Sequence, residues 1–594
     1  MKPHRITFDE STVLHDLKHY LPAQAPLKDF IHHNTLHAFQ SQKFGDGLRT
    51  ASALFGYTVS LSLADYRALY AEGRIRKDVL ESVVLRRKGS DLASEWGEKL
   101  LHRAYDQTTL PRIGSLRSNW KRRYRIDLDS LVHPILFRLL CSYLDQGISI
   151  WSFPVTGQGF LSALRELERH SFSSFFRHRR ARQLLLSGNC EISTLLDLLV
   201  GDESRYKTYL FDQQFAHPGW SGMVSVLEDQ PHTLLDRKEI TLHDLIVFEL
   251  LLEIDALDFS FGTDWEPLSR QLTSKPSDLF APVLPTDRSE VLALWQEAYE
   301  WSYYDQVLAG LQMKKPTPVS GLNPNFQALF CIDDRECSFR RYLEAVEPAC
   351  ETFGTPGFFG VEFYYQPQDG KFFTKVCPAP LTPAYLIKEV GTPKKRKKDA
   401  HFSKHAHSFH SGWLISQTLG FWSAFRLALN VFRPSMSPAT ASSFRHMDRF
   451  SKLTVEHQHQ PGEHGLQLGF NVSEMAARVE NLLKSIGLVE HFAPLVYVLG
   501  HGSSSVNNPH YAAYDCGACS GRAGSVNARV VCDMANHPAV RALLRERGLI
   551  IPDETQFVGG LHDTTRDEVM FFDETALSPK NRERHTKNEK VFEK

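Results

Sequence analysis

The sequence has almost no surplus of charge of either sign, with 68 lysines and arginines against 69 aspartates and glutamates. A dedicated nucleic-acid binder usually carries a basic excess, so no nucleic-acid partner is expected. It also lacks any uncharged apolar run of the ~18 residues that a membrane span needs. The nearest candidates, 133–151 and 243–257, carry Arg138 and Asp145, and Asp244, Glu249, Glu253 and Asp255. They read as helices of a soluble protein. The start, MKPHRITFDE, has no apolar stretch after its basic residues, so a secretory leader is not expected. Cysteines are few and odd in number, nine in all, which suits reduced thiols better than a disulfide framework. Five of them, Cys141, Cys190, Cys350, Cys377 and Cys532, stand alone and read as small buried hydrophobes. The other four fall in two segments, Cys331/Cys337 and Cys516/Cys519.

What is present is a long globular chain of 594 residues, 42% hydrophobic and 11% aromatic. That is enough to bury a sizeable core without cross-links. Up to residue 315 the pattern is mainly helical: LVHPILFRLLCSYLDQG (131–147) and LHDLIVFELLLEIDAL (242–257) have the spacing of half-buried helices. The texture changes near Pro316. FQALFCIDDRE (326–336) and PLVYVLGHGSSS (494–505) read as buried strands that stop at polar residues, and GFFGVEFYY (357–365) and KFFTKVC (371–377) are β-like. Helical patterns at 473–487 and 538–548 alternate with them, predicting an α/β sheet over 316–577, largely parallel. Ligands of such sheets collect beyond the carboxyl ends of the strands. A segment at about 380–470, holding the basic, histidine-rich KKRKKDAHFSKHAHSFH (394–410), reads as an insertion. The charged stretch 578–594 shows no apolar face and is expected to be disordered.

Chemistry concentrates at the two strand ends. Cys331, Asp333 and Arg335 alternate, so in an extended chain they share one side. Thiolate and carboxylate both suit zinc, and Arg335 can hold Asp333 in a bidentate pair. His501 ends the other strand, and Cys516 opens the small-residue turn CGACSGRAG, where a following helix would favour its thiolate. Cys331, Asp333, His501 and Cys516 make a natural four-ligand zinc set. Three other readings stand beside it: a redox pair of Cys516 and Cys519, a structural knuckle of Cys331, Cys337, Cys516 and Cys519, and ordinary core thiols with no metal.

Several motifs together carry a resemblance: DFIHHNTLHAF (29–39), CIDDRE (331–336), TFGTPGFFGVEFYY (352–365), LGHGSSSVNNP (499–509), CGACSGRAGSVNAR (516–529) and LHDTTRDEV (561–569). From about Leu17 to Thr575 the chain resembles the DabA family, the large soluble subunit of a bacterial inorganic-carbon pump, itself similar at a distance to β-carbonic anhydrases. The resemblance implies a β-carbonic-anhydrase-like sheet core in the C-terminal half. It also implies zinc on Cys331, Asp333, His501 and Cys516, and a catalytic Asp333–Arg335 dyad that opens the site when the two pair. The reaction implied is hydration of carbon dioxide to bicarbonate. The implied partner is an integral membrane, antiporter-like (DabB-type) subunit, with this chain docked on the cytoplasmic face of the inner membrane. Two departures are evident. His501 and Cys516 lie farther apart than the corresponding β-carbonic anhydrase ligands, and family members usually continue well beyond the position of Thr575. A free-standing zinc hydratase or hydrolase, or a docking subunit with structural zinc, are the alternatives. His32, His33 and His37 can line the site or pack. Cys337 reads as core and Cys519 as support for its turn. The histidines at 457, 459 and 464 sit in a loop, and His562 and Asp563 have no assigned role.

Overall fold

The structure, a computed structural model, describes most of the chain from Phe8 to Lys594. It does not describe 1–7, 23–34, 106–109, 146–152, 155–158, 274–277, 314–323, 369–372, 392–412, 432–450, 458–461, 505–513 or some isolated positions. His32, His33, His459, His464 and the 394–410 stretch therefore lie outside the described residues. The described residues divide into two compact units, one running up to Met313 and the other from Pro324 on.

Among the described residues, every element of the first unit from Glu10 to Met313 is helical. Its centre is the helix Leu242–Phe261, which has 15 buried positions on all sides, where the spacing predicted a half-buried face. Two of its buried carboxylates are paired, Asp258 with Arg180 and Glu253 with Arg117. Thr241 and Asp244 form a capping box that starts the helix.

The second unit is α/β. Its strands are β1 (Phe326–Cys331), β2 (Cys350–Thr355), β3 (Tyr364–Gln366), β4 (Thr374–Lys375), β5 (Tyr385–Val390), β6 (Lys452–Leu453), β7 (Gln467–Leu468), β8 (Leu495–Gly502), β9 (Gln556–Asp563) and β10 (Glu568–Phe571). The main sheet runs β10-β9-β8-β1-β2, parallel except for β10 against β9. β1 and β8 are buried along their whole lengths, as strands covered on both faces must be. A smaller sheet holds β4-β3-β5-β6, with β7 on β5. The chain passes outward from β1 to β2 and later returns to β8 on the other side of β1. The β1/β8 boundary is therefore a topological switch point, where such sheets bind ligands.

Two expectations are corrected here. GFFGVEFYY forms a strand only over Tyr364–Gln366, because Phe359 and Gly360 turn the chain at φ 51° and 71°. The charged 578–594 stretch is not disordered: Pro579–Phe592 is a helix capped by Ser578, with Asn581, His585, Asn588 and Phe592 buried. That face is mostly polar, so a search for apolar periodicity passes over it. Yet Asn588 donates to the Tyr497 hydroxyl at 3.1 Å, and the Phe592 ring lies 5.1 Å from that of Tyr497. Phe592→Ala should lower stability by about 3 kcal/mol, read as an earlier urea transition of this unit.

Candidate metal centre

β1 and β8 deliver Cys331 and His501 to adjacent strand ends. Cys516 comes from the segment before the helix Ser525–Asn536. Its backbone accepts from the N–H groups of Cys519 and Gly521, folding a tight turn. The thiols of Cys331 and Cys516 and an imidazole nitrogen of His501 all lie within 4.8 Å of one another, and all three residues are buried. The two sulfurs are 4.0 Å apart. Neither ring nitrogen of His501 has a hydrogen-bond partner, although the residue is fully buried. A buried imidazole with both nitrogens unanswered is costly unless something else binds it. The facing Cys516 thiol and burial push the Cys331 thiol up. Cys516 also stands well above its ordinary value, because Cys519 and burial outweigh the lowering contact from Cys331. The sequence reading placed Cys516 where a helix start would lower it. Only a three-residue turn follows, and the long helix begins at Ser525. A bound cation would reverse these shifts by stabilising both thiolates.

Asp333 is close by but outside the three-ligand cluster. The helix begins at Asp334 rather than continuing the strand, so Asp333 caps it and accepts from the Arg335 N–H at 3.1 Å. Shared sidedness of an extended chain is thus replaced by cap geometry. Arg335 holds both oxygens of Asp333, Nε to Oδ1 at 2.7 Å and Nη2 to Oδ2 at 2.9 Å. These bonds hold the Asp333 carboxyl well below the usual carboxylate range. Oδ2 is 3.6 Å from His501 Nε2, so the carboxylate already borders the cluster. Arg335 is fixed in turn by donating to the Tyr514 carbonyl at 2.7 Å.

Two residues that the sequence reading did not single out shape the site. A Cβ on Gly357 would sit 2.6 Å from the Cys516 sulfur and 2.9 Å from that of Cys331. Gly500, one residue before His501, would place a Cβ 2.2 Å from the Gly524 backbone, so β8 and the segment before the next helix pass too close there for a side chain. The nearest available sequence signal was their position inside GTPGFFG and LGHG. His562, whose role was open, is buried beside Glu336 at 2.9 Å and pairs in register with His501. Burial pulls its pKa down, but Glu336 and Asp567 outweigh this and the net shift is upward from 6.5. A raised folded-state value means that the pair's contribution is complete at low pH and is lost as pH rises through it. Thermal stability should therefore fall as pH climbs above about 6.5, and Glu336→Gln should flatten that slope.

Other expectations fall differently. Cys519 donates to the Gly357 carbonyl at 3.4 Å, a supporting contact. Cys337 is exposed on its helix, not core, and so is outside any four-cysteine knuckle. Cys190, Cys377 and Cys532 are buried, but Cys141 is exposed and Cys350 half-buried. His37 is exposed beside Gln40, and the His457 ring meets the Leu468 carbonyl at 2.8 Å.

The molecule is thus a mixed α/β protein with a helical unit and a buried Cys/His/Cys cluster at the strand ends, able to bind a metal ion. A family model described as "Probable inorganic carbon transporter subunit DabA" matches residues 14–594. A protein of that name from Azotobacter vinelandii is 60% identical over 588 residues, covering 99% of this chain and 70% of the relative. One from Nitrosospira multiformis is 59% identical, covering 99% and 65%, and one of two from Sorangium cellulosum is 31% identical, covering 95% and 71%. The chain belongs to the DabA family, and it spans about two thirds of the length of these relatives. No solved structure matches it significantly.

Proposed function

We propose that Cys331, His501 and Cys516 hold zinc, and that the chain hydrates carbon dioxide to bicarbonate as the zinc-dependent subunit of an energy-coupled inorganic-carbon pump. The observation that carries this reading is the buried cluster, with its unbonded His501 ring, beside the Asp333–Arg335 pair. The sulfur separation of 4.0 Å is near the ~3.8 Å expected for two thiolates on tetrahedral zinc with bonds of about 2.3 Å. The names of the relatives supply the substrate class, inorganic carbon. A parallel sheet with ligands at adjacent strand ends is compatible with a β-carbonic-anhydrase-like core, which is part of this proposal.

When bound, zinc supplies a Lewis acid that brings the ionisation of water towards a pKa of ~7. The protein's part is to control access. While Arg335 grips both oxygens of Asp333, the carboxylate is withheld from the cluster, and an ion held there would keep a position for water. Released from Arg335, Asp333 is near enough to the cluster to fill that position and exclude water. Hydration would then depend on what moves this pair. The proposed mover is an antiporter-like (DabB-type) membrane subunit, with this chain docked at the cytoplasmic face of the inner membrane. Among the described residues no helix is long and apolar enough to cross a membrane, so a partner would supply the spans.

Growth at ambient carbon dioxide of a cell lacking carbonic anhydrase tests this. Rescue should require both the chain and the membrane subunit, and His501→Ala should abolish it. Rescue by the chain alone would point instead to a free-standing hydratase.

A further inference from the structure

The helical unit holds a second group of metal-ligating side chains that the proposed chemistry does not use. His133, His217 and Glu249 each bring one ligand atom, all within 4.8 Å of one another. His133 stands on the helix Leu128–Tyr143, Glu249 midway along Leu242–Phe261, and His217 just before Pro218–Asp229. Glu249 is fully buried and His217 nearly so.

The hydrogen bonds around these groups do not close. Glu253, one turn beyond Glu249, is fully matched by Arg117 at 2.8 Å, the Tyr209 hydroxyl at 2.7 Å and Gln213 at 3.2 Å. Glu249 is matched on one oxygen. Its Oε2 accepts from Gln214 Nε2 at 3.0 Å and meets His217 Nε2 at 2.9 Å, whereas its buried Oε1 has no hydrogen bond. Facing Oε1 at 3.7 Å is His133 Nε2, also buried and also without a hydrogen bond, with Asp129 Oδ1 3.5 Å away on its other side. The 3.7 Å gap is too long for a hydrogen bond. It is close to the ~3.4 Å between two ligand atoms sharing one ion through bonds of about 2.1 Å.

The state of His217 follows from its neighbours. Ser221 Oγ lies 2.8 Å from Gln214 Oε1 and 3.0 Å from His217 Nδ1. Gln214 Nε2 is committed to Glu249, so its Oε1 can only accept, and the single Ser221 proton goes to Gln214. Ser221 therefore accepts from Nδ1–H, and Nε2 is the nitrogen turned to Glu249. An imidazole whose outer N–H is held in this way is oriented as metal-ligating histidines are. Nε2 and the carboxylate oxygen, 2.9 Å apart, must share a cation, either a proton or a metal ion. A proton on His217 leaves Glu249 Oε1 and His133 Nε2 without a hydrogen bond; a metal ion would engage all three residues. His133 and Asp129 also line a cavity of about 940 Å³, so an ion there would be reachable.

We propose that His133, His217 and Glu249 bind a first-row divalent cation of the zinc class, with a coordination position open to this cavity. Two imidazoles and one carboxylate are a donor set that suits such an ion.

The test uses the full chain carrying Cys331→Ser and Cys516→Ser, loaded with Zn²⁺ alone and measured by metal analysis and zinc-edge X-ray absorption. About one zinc should remain per chain, in a nitrogen and oxygen shell without sulfur. Adding Glu249→Gln or His133→Ala should weaken binding on the order of 100-fold. His133 Nε2 makes no hydrogen bond, so its removal should leave the helical circular dichroism unchanged. In the unmodified chain, His133→Ala should remove the sulfur-free zinc and raise the sulfur count per remaining zinc. Absence of sulfur-free zinc in both backgrounds, or its undiminished retention in both variants, would overturn the proposal and leave a protonated His217–Glu249 pair. Sulfur-bound zinc is scored separately, so failure here and failure of the Cys331/His501/Cys516 reading remain distinct.

Discussion

Gly357→Ala should abolish activity and weaken metal binding on the order of 100-fold, the upper end of what disturbing the support of a ligand costs. The added methyl would meet both cluster sulfurs, at 2.6 and 2.9 Å, where carbon and sulfur do not coexist. One of three things must give: the turn after β2, the Cys516 turn, or the sulfur positions. The turn is held by the Cys519 bond to the Gly357 carbonyl and by the buried Phe359 behind it, so the strain falls on the sulfurs. Global stability should change far less than metal affinity, and that contrast separates a site effect from unfolding. Zinc titration beside thermal denaturation checks it. Equal affinity in the variant would mean that the sulfurs do not have to stay where they are.

The second large effect concerns Asp333 and Arg335, whose replacements should act in opposite directions. Arg335→Ala frees the carboxylate from its two guanidinium bonds. Asp333 is then available to the cluster, and carbon dioxide hydration should fall to background although metal remains bound. Asp333→Ala removes the group that closes the site. Hydration should then persist without the membrane subunit, and growth of the cell lacking carbonic anhydrase should no longer depend on that subunit. Stopped-flow hydration assays and growth complementation read the two variants in parallel. Rescue by Asp333→Ala that still requires the membrane subunit would contradict the gate.

The parts of this account that the sequence made legible are those written in local pattern. FQALFC and LVYVLGHG are largely apolar runs ending in chemistry-bearing residues, and burial on both faces favours such runs, so Cys331 and His501 could be placed at strand ends. Cys516 stood out by its small-residue turn. Asp333 was assigned by alternation, yet its place is set by a helix that starts immediately after it, since capping wins over strand continuation once the sheet ends. The 579–592 helix escaped because Asn581, His585 and Asn588 make a polar buried face, matched by hydrogen bonds rather than by apolar area. Gly357 was invisible for a different reason: its constraint comes from two sulfurs distant in sequence. The same holds for His133, His217 and Glu249, which come from separate helical segments and share no motif.

The most direct test of the central claim is zinc-edge X-ray absorption on the purified full chain, with and without Cys331→Ser and Cys516→Ser. The account predicts sulfur scatterers at about 2.3 Å in the unmodified protein, gone in the double variant while the fold persists. A zinc spectrum with no sulfur shell at all in the unmodified protein, or a sulfur shell surviving both substitutions, would contradict it.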